Sequence, residues 1–335
     1  MTGGRSDDRA IPTTGRLPAP IGRTAGRSPG SLAWARLRAD RTAVVNGWIL
    51  IALIIVAAAA PLVEALYGIG PQDQFQGQLD RYGMPIGPLG GISTQHWLGL
   101  EPGLGRDILI RLVYGLRTSL VIATLATLVT ITVGAAVGLL TGLVGRWTDG
   151  VVGAIIDVAL AMPFLIVALT VVPTLTQRFY GPRDAVPPSF QAFSLILVFA
   201  VLGWAGTARL VRGQVLALRD REFVDAARAG GAGTTHIICR ELLPNLTAPI
   251  LVSASLALPA YIAAEAGLSF LGIGILEPTP DFGRMIQRSL GYLQTDPVYV
   301  LIPGSVLFLV VLAFNLFGDA VREALDPRAG GSGAR

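Results

Sequence analysis

The side chains able to do chemistry are few and scattered. The 335-residue chain holds two histidines, His96 and His236, and one cysteine, Cys239. They lie far apart in unlike surroundings, so their spacing builds no His/Cys metal cluster, and a single cysteine excludes an intrachain disulfide. No lysine occurs, and all 26 basic residues are arginine. A P-loop needs its lysine to hold phosphates and a Schiff base needs a lysine amine, so neither can be built here as usual. Nucleotide energy must come from a partner. Gly267-Leu268-Ser269 offers a serine, but a nucleophile needs a base, and His236 belongs to the other side of the span that separates them. Asn245-Leu246-Thr247 fits the glycosylation pattern by chance, on a side where acceptors are not used. No catalytic residue, cofactor or metal is expected.

The elements that carry these residues are apolar. Hydrophobic residues make up 52% of the chain and charged residues 14%, with a mean hydropathy of +0.60; soluble domains carry about a quarter charged residues. The apolar residues fall in six blocks, near 44–63, 118–144, 151–175, 192–212, 247–272 and 299–318. Each is long enough to cross roughly 30 Å of hydrocarbon at about 1.5 Å per residue. The fold class is therefore all-α: a polytopic membrane protein with about six transmembrane helices. The first block resembles a signal peptide, but a long leader and five later spans argue against cleavage. With the N-terminus in the cytoplasm, eighteen of the 26 arginines fall on the cytoplasmic side, which places both termini there by the positive-inside rule. Segments 64–117, 176–191 and 273–298 are then external, and 213–246 is the long cytoplasmic loop.

Within the spans, Gly134, Gly138 and Gly142 recur every four residues on one helix face, a spacing that lets another backbone approach closely. Glu64 and Glu265 sit near the outer ends of their spans, whereas Asp157 lies about two turns into the third and asks for a partner; Arg209, at similar depth in the fourth, is the candidate. Pro163 and Pro259 interrupt the third and fifth spans and only weakly suggest hinges. An ion-coupled secondary transporter, the rival class, would need inverted repeats and buried carboxylates that this reading does not find. In the external loop, His96, Trp97 and Asp107 are expected to fold a membrane-edge loop around Trp97 rather than to touch substrate.

Residues 1–42 are rich in Gly, Pro, Ser, Thr and Arg, and read as a disordered cytoplasmic arm held near anionic lipid rather than nucleic acid. In the long loop, Arg221 to Gly231 reads as a short helix stopped by glycines. Thr234 and Thr235 can cap a second helix, to which Ile237, Ile238, Leu242 and Leu243 give an apolar side and which Pro244 ends. Two short helices meeting at a glycine make a protruding knuckle, too polar for lipid and too apolar to stand alone in water. It should dock into another protein.

The order Asp225-Ala226-Ala227, three residues, Gly231, then Leu243-Pro244 resembles the EAA loop of ABC-importer permeases, with Glu241 where an isoleucine is usual. Further segments are similar to the dipeptide, oligopeptide and nickel branch. They are His96-Trp97-Leu98-Gly99, Gly105-Arg106-Asp107-Ile108-Leu109 and Arg111 to Leu120 before the second span, Glu265 to Gly272 and Pro278 to Gly283 after the fifth, and Asn315 to Asp319 with Leu325 to Arg328 at the end. The resemblance covers roughly 45–328 and is to the second, "C" type permease subunit. It implies a transmembrane domain over 43–328 with a flexible tail at 329–335, in a bacterial inner (plasma) membrane. It also implies a second homologous permease subunit, two ABC ATPase subunits, an extracytoplasmic solute-binding protein, and a peptide, nickel complex or other small solute as cargo. Glu222, Asp225, Ala226, Ala227, Arg228, Gly231, Leu243 and Pro244 are the expected ATPase-coupling residues. The knuckle's apolar side should seat in an ATPase cleft, with Glu222, Asp225 and Arg228 as rim contacts.

Overall fold

A computed structural model of the protein describes residues 29–143 and 146–326. Residues 1–28 of the arm and the tail 329–335 lie outside the described residues. The last third of the arm is helical, which the composition of the whole arm concealed. Helix α1 (Pro29–Ala39) precedes α2 (Arg41–Ala58). The Asp40 side chain accepts the Thr42 amide at 2.8 Å and caps α2, and Arg36 Nη1 donates to the Asp326 carbonyl at 2.9 Å. A short α3 (Ala60–Tyr67) follows, closed by Gly68 in the left-handed region.

The remaining helices are α4 (Ile108–Leu143), α5 (Arg146–Ala161), α6 (Phe164–Phe179), α7 (Pro188–Leu218), α8 (Glu222–Ala229), α9 (Thr234–Phe270), α10 (Phe282–Ser289) and α11 (Pro297–Leu325). Among the described residues there is no strand; the extended pairing is two isolated bridges, Leu79 with Pro85 and Leu100 with Asp107. Helices α2, α4, α7, α9 and α11 are each long and apolar enough to cross a membrane. The predicted third span is a bent pair instead: α5 and α6 meet at 87°. Pro163 sits at the elbow as the N-cap of α6, where it offers no amide to the preceding turn and pushes Met162 out of the helical region. Pro259 interrupts nothing, because α9 runs through it.

Two other boundaries differ from the sequence expectation. Helix α4 begins at Ile108, ten residues before the apolar block, because Asp107 Oδ1 accepts the Ile110 amide at 3.1 Å and starts the helix. Pro244 does not end the second knuckle helix. A π turn over Ile237–Leu242 widens the backbone just ahead of it, and the helix continues to Phe270.

The core is built on α4. One apolar cluster joins it to α2, α9, α10 and α11 through Leu112, Leu116, Ile262, Phe282 and Phe314. A second joins it to α6 and α7 through Ile122, Ala126, Val172, Leu195 and Phe199. A third, at the end of the bundle that carries the knuckle, joins Leu139, Val211 and Val215 to Val224, Ile237, Leu242 and Leu246.

Candidate functional site

The knuckle is an exposed ridge with a buried root. Helix α8 ends at Gly230, and Gly231 takes φ +83°, a conformation that side chains with a Cβ rarely adopt. The Ala232 amide donates back to the Ala227 carbonyl at 3.0 Å, closing the turn in the manner of a Schellman cap. Gly233, not Thr234 or Thr235, is the N-cap of α9, and no threonine hydroxyl caps it. Of the predicted coupling residues, Glu222, Asp225, Ala226, Arg228, Gly231, Leu243 and Pro244 are exposed and Ala227 is half-buried. Arg228 Nη1 donates to Asp225 Oδ1 at 3.1 Å, one turn along the same helix.

Part of the knuckle's apolar side faces inward: Ile237 and Leu242 are buried, whereas Ile238 is half-buried and Leu243 is exposed and free to seat in a partner. Val224, Ile237 and Leu242 are buried against the ends of α4 and α7. Burial of those three side chains, each worth about 1.5–3 kcal/mol, makes the knuckle continuous with the bundle. Only Phe223 and Leu243 remain as large exposed apolar residues on it. Arg219 Nη1 adds a hydrogen bond to the Gly142 carbonyl at 3.1 Å, tying the end of α7 to the end of α4.

Above the knuckle, Gly134, Gly138 and Gly142 of α4 face α7. A Cβ on Gly134 would lie 2.6 Å from the Trp204 carbonyl oxygen, and one on Gly142 would lie 2.6 Å from Val215 Cγ1. The structure also brings Arg209 of α7 to Asp157 of α5, with the Arg209 Nη2 donating to Asp157 Oδ1. Both side chains are more than half exposed. A double-mutant cycle on Asp157→Ala and Arg209→Ala should read a coupling of at most about 1 kcal/mol where water reaches the pair. A larger value would mean that lipid or another subunit covers it, and a value of zero would dissolve the pair.

At the opposite end, the loops between α3 and α4 and around α10 close into a collar that the sequence pattern did not foretell. Arg106 holds Glu101 with two hydrogen bonds, Nε to Oε2 at 2.6 Å and Nη2 to Oε1 at 2.9 Å, and reaches Glu277 Oε2 from Nη1 at 2.7 Å. Arg111 Nη2 donates to Glu277 Oε1 at 3.2 Å, and Arg288 Nη1 to Glu101 Oε1 at 2.9 Å. Burial by itself would raise the Glu101 and Glu277 carboxyls, but the Arg106 hydrogen bonds and the Arg111 and Arg106 charges outweigh it and hold both below the usual carboxylate range. Beside this network, Asp107 Oδ2 accepts from Tyr67 Oη at 2.9 Å and pairs with His96 Nδ1 at 2.8 Å. Trp97, expected to be the loop's anchor, is 61% exposed, while His96 and Asp107 are buried. The loop folds around the contact between His96 and Asp107, not the indole.

Glu265, which its position near a span end left unremarked, is not at the surface. It is fully buried, with Ser119 Oγ donating to its Oε2 at 2.6 Å and Ser269 Oγ to its Oε1 at 3.2 Å. The signal was present, since an ionisable residue inside an apolar block asks for a partner whatever its depth.

This bundle of membrane-crossing helices, with an exposed knuckle at one end, a charged collar at the other and no catalytic cluster among the described residues, is the architecture of a transport permease. The chain matches the family described as binding-protein-dependent transport system inner membrane component over residues 134–331, and the N-terminal TM domain of oligopeptide transport permease C over residues 28–81. It belongs to the first of these families and is a membrane-spanning permease subunit of an ABC importer. It is 34% identical to the dipeptide transport system permease protein DppC of Alkalihalophilus pseudofirmus, over 93% of this chain and 94% of that one. It is 33% identical to the DppC of Bacillus subtilis over 88% and 85% of the two chains, and 33% identical to the glutathione transport system permease protein GsiD of Pectobacterium atrosepticum over 90% and 92%. Its fold is similar to a chain of the MetNI methionine ABC transporter in inward-facing conformations, with a TM-score of 0.52 and 19% identity over 65% of this chain and 98% of that one.

Proposed function

We propose that this subunit forms half of the translocation path for short peptides and that the exposed ridge of residues 221–244 is where an ATPase subunit acts on it. A second, homologous permease subunit completes the path, two ATPase subunits hydrolyse the ATP, and a solute-binding protein delivers cargo to the collar. Both termini and the knuckle then face the cytoplasm. The arginine asymmetry supports this orientation, as does the hydrogen bond that brings α1 to the end of α11. Peptide cargo is supported by the relatives, whose names specify dipeptides and glutathione.

The observation that carries the coupling role is the division within the knuckle, polar and exposed outside, apolar and rooted in α4 and α7 inside. A push on the ridge is delivered to two spans at once. Charge on the rim sets register more than affinity.

The test is ATP-dependent uptake of labelled di- and tripeptides by the reconstituted complex, comparing wild type with Gly231→Pro and Asp225→Arg. Proline locks φ near −65°, cannot take the Gly231 conformation and removes the amide that donates to the Arg228 carbonyl at 2.9 Å, so the turn must rearrange, while Asp225→Arg reverses a charge on the exposed ridge and leaves the backbone alone. Uptake should fall by at least about tenfold, or ~1.4 kcal/mol of coupling, with subunit assembly unchanged. Wild-type uptake in both variants would remove the knuckle as the coupling element.

A further inference from the structure

The collar pairs each of its carboxylates with arginine, but a second carboxyl pair below it has no such partner. Glu265 on α9 and Asp281, the residue that caps α10, are both fully buried. Their helices meet where Gly283 packs on α9 beside Phe270, and the two carboxyls act on each other. The polar groups facing them are Ser119 from α4, Ser269 from α9, and the amides of Gly283 and Arg284 from α10. No guanidinium is among these, and Arg284 turns its own outward to Gln287 at 3.0 Å.

Counting donors leaves one short. Asp281 Oδ1 accepts the Arg284 amide at 3.0 Å, and the two oxygens of Glu265 accept from Ser119 and Ser269. Asp281 Oδ2 is sealed from solvent and accepts nothing. Two carboxylates held together without countercharge or water repel each other and forfeit their hydration, and one proton between them removes both penalties. Burial likewise pushes the Asp281 carboxyl above its ordinary range, against the lowering effect of the hydrogen bonds it receives.

We propose that Glu265 and Asp281 together bind a single proton, and that this proton closes a latch holding α10 against α4 and α9 at the outer mouth of the path. Helix α10 starts in close contact with both neighbours. A Cβ on Gly283 would lie 2.7 Å from the Phe270 amide nitrogen of α9, and one on Gly115 of α4 would touch the Asp281 backbone at 3.6 Å. Asp281 Oδ2 is sealed from solvent, so the charge left by a lost proton is not hydrated in place and the latch opens by moving α10 out. The folded latch holds a proton that an unfolded chain would release above the ordinary carboxylate range, so its stability falls as pH rises beyond that range.

The test uses the whole transporter in liposomes and does not depend on which solute it carries. Infrared difference spectra should show a protonated-carboxyl C=O band in wild type at neutral pH. That band should be absent from both Glu265→Gln and Asp281→Asn, whose amides supply the donor without a titratable proton. Raising the pH on wild type alone should remove the band and increase protease cleavage within 278–296, while the two amide variants keep the same cleavage across the range. A wild-type spectrum without the band, a band unchanged in both variants, or a band that disappears with no change in cleavage would each overturn the latch.

Discussion

Arg106→Ala is expected to cost about 3–5 kcal/mol of stability in the detergent-solubilised complex, read as a loss in thermal or denaturant unfolding, because it strands buried carboxylates that were paired. Arg106 is 5% exposed and joins Glu101, 3% exposed, to Glu277, 171 residues further along the chain. Arg111 and Arg288 remain after the substitution, but neither presents the two-pronged contact that Arg106 makes with Glu101. Arg106→Lys should lose less than the alanine variant and more than a surface change, since an ammonium restores the charge but not the fork. The network also fixes a pH dependence. Glu101 and Glu277 are held below their ordinary values in the folded state, so the stability they add is complete above the ordinary carboxylate range. It is lost as pH falls through that range and below it. Wild type should therefore weaken toward acid more steeply than Arg106→Ala, which has already lost the contribution. A loss under about 1 kcal/mol, the size of an exposed pair, would show that the collar is solvated in the assembled transporter.

The spans were legible because an apolar block of membrane length is too long for most core helices and fits the thickness of a bilayer. The knuckle was legible because glycines punctuate it. What failed depended on what packs against what. The start of α4 reads as polar, with Arg111, Tyr114 and Arg117, yet Arg111 is buried in the collar, where one partner, Glu277, lies 166 residues away. The ranking of intramembrane acids inverted for the same reason. Depth along a span singled out Asp157 and passed over Glu265, but burial follows the face a residue presents, and Glu265 points at α4 and α10 while Asp157 is mostly exposed. The apolar side of the knuckle was visible as a pattern; whether it faced a partner or the ends of its own spans was not. Pro163 and Pro259 look alike in sequence, and only Pro163 breaks its helix.

Gly138→Leu should destabilise the bundle and stop transport together. Helices α4 and α7 run parallel, with Gly134 against Trp204 and Thr207, Gly138 against Ala208 and Val211, and Gly142 against Val215, so each step of four on one helix meets a step of about four on the other. A Cβ at 138 would lie 2.5 Å from the Ala208 carbonyl oxygen, 2.9 Å from Val211 Cβ and 3.0 Å from the Arg212 amide nitrogen. Two of these are backbone atoms of a helix and cannot turn aside as a side-chain tip can. The helices must separate, at about 1–3 kcal/mol for overpacking of this kind, with the rest of the leucine adding to it. Gly213→Leu on α7 is the control, because nothing lies within 4 Å of a Cβ there and leucine is the better helix former. Separation at Gly138 reaches the knuckle directly, since α7 leads into α8 and Arg219 is anchored on Gly142. Gly138→Leu should thus lower both melting temperature and peptide uptake, whereas Asp225→Arg, a change on the exposed ridge, lowers uptake at an unchanged melting temperature. Under the proposed coupling role, that contrast would separate a seam that transmits a movement from a ridge that receives it. Wild-type stability in Gly138→Leu would mean that α4 and α7 do not meet this closely in the assembled transporter, and that the knuckle's motion reaches the membrane by another route.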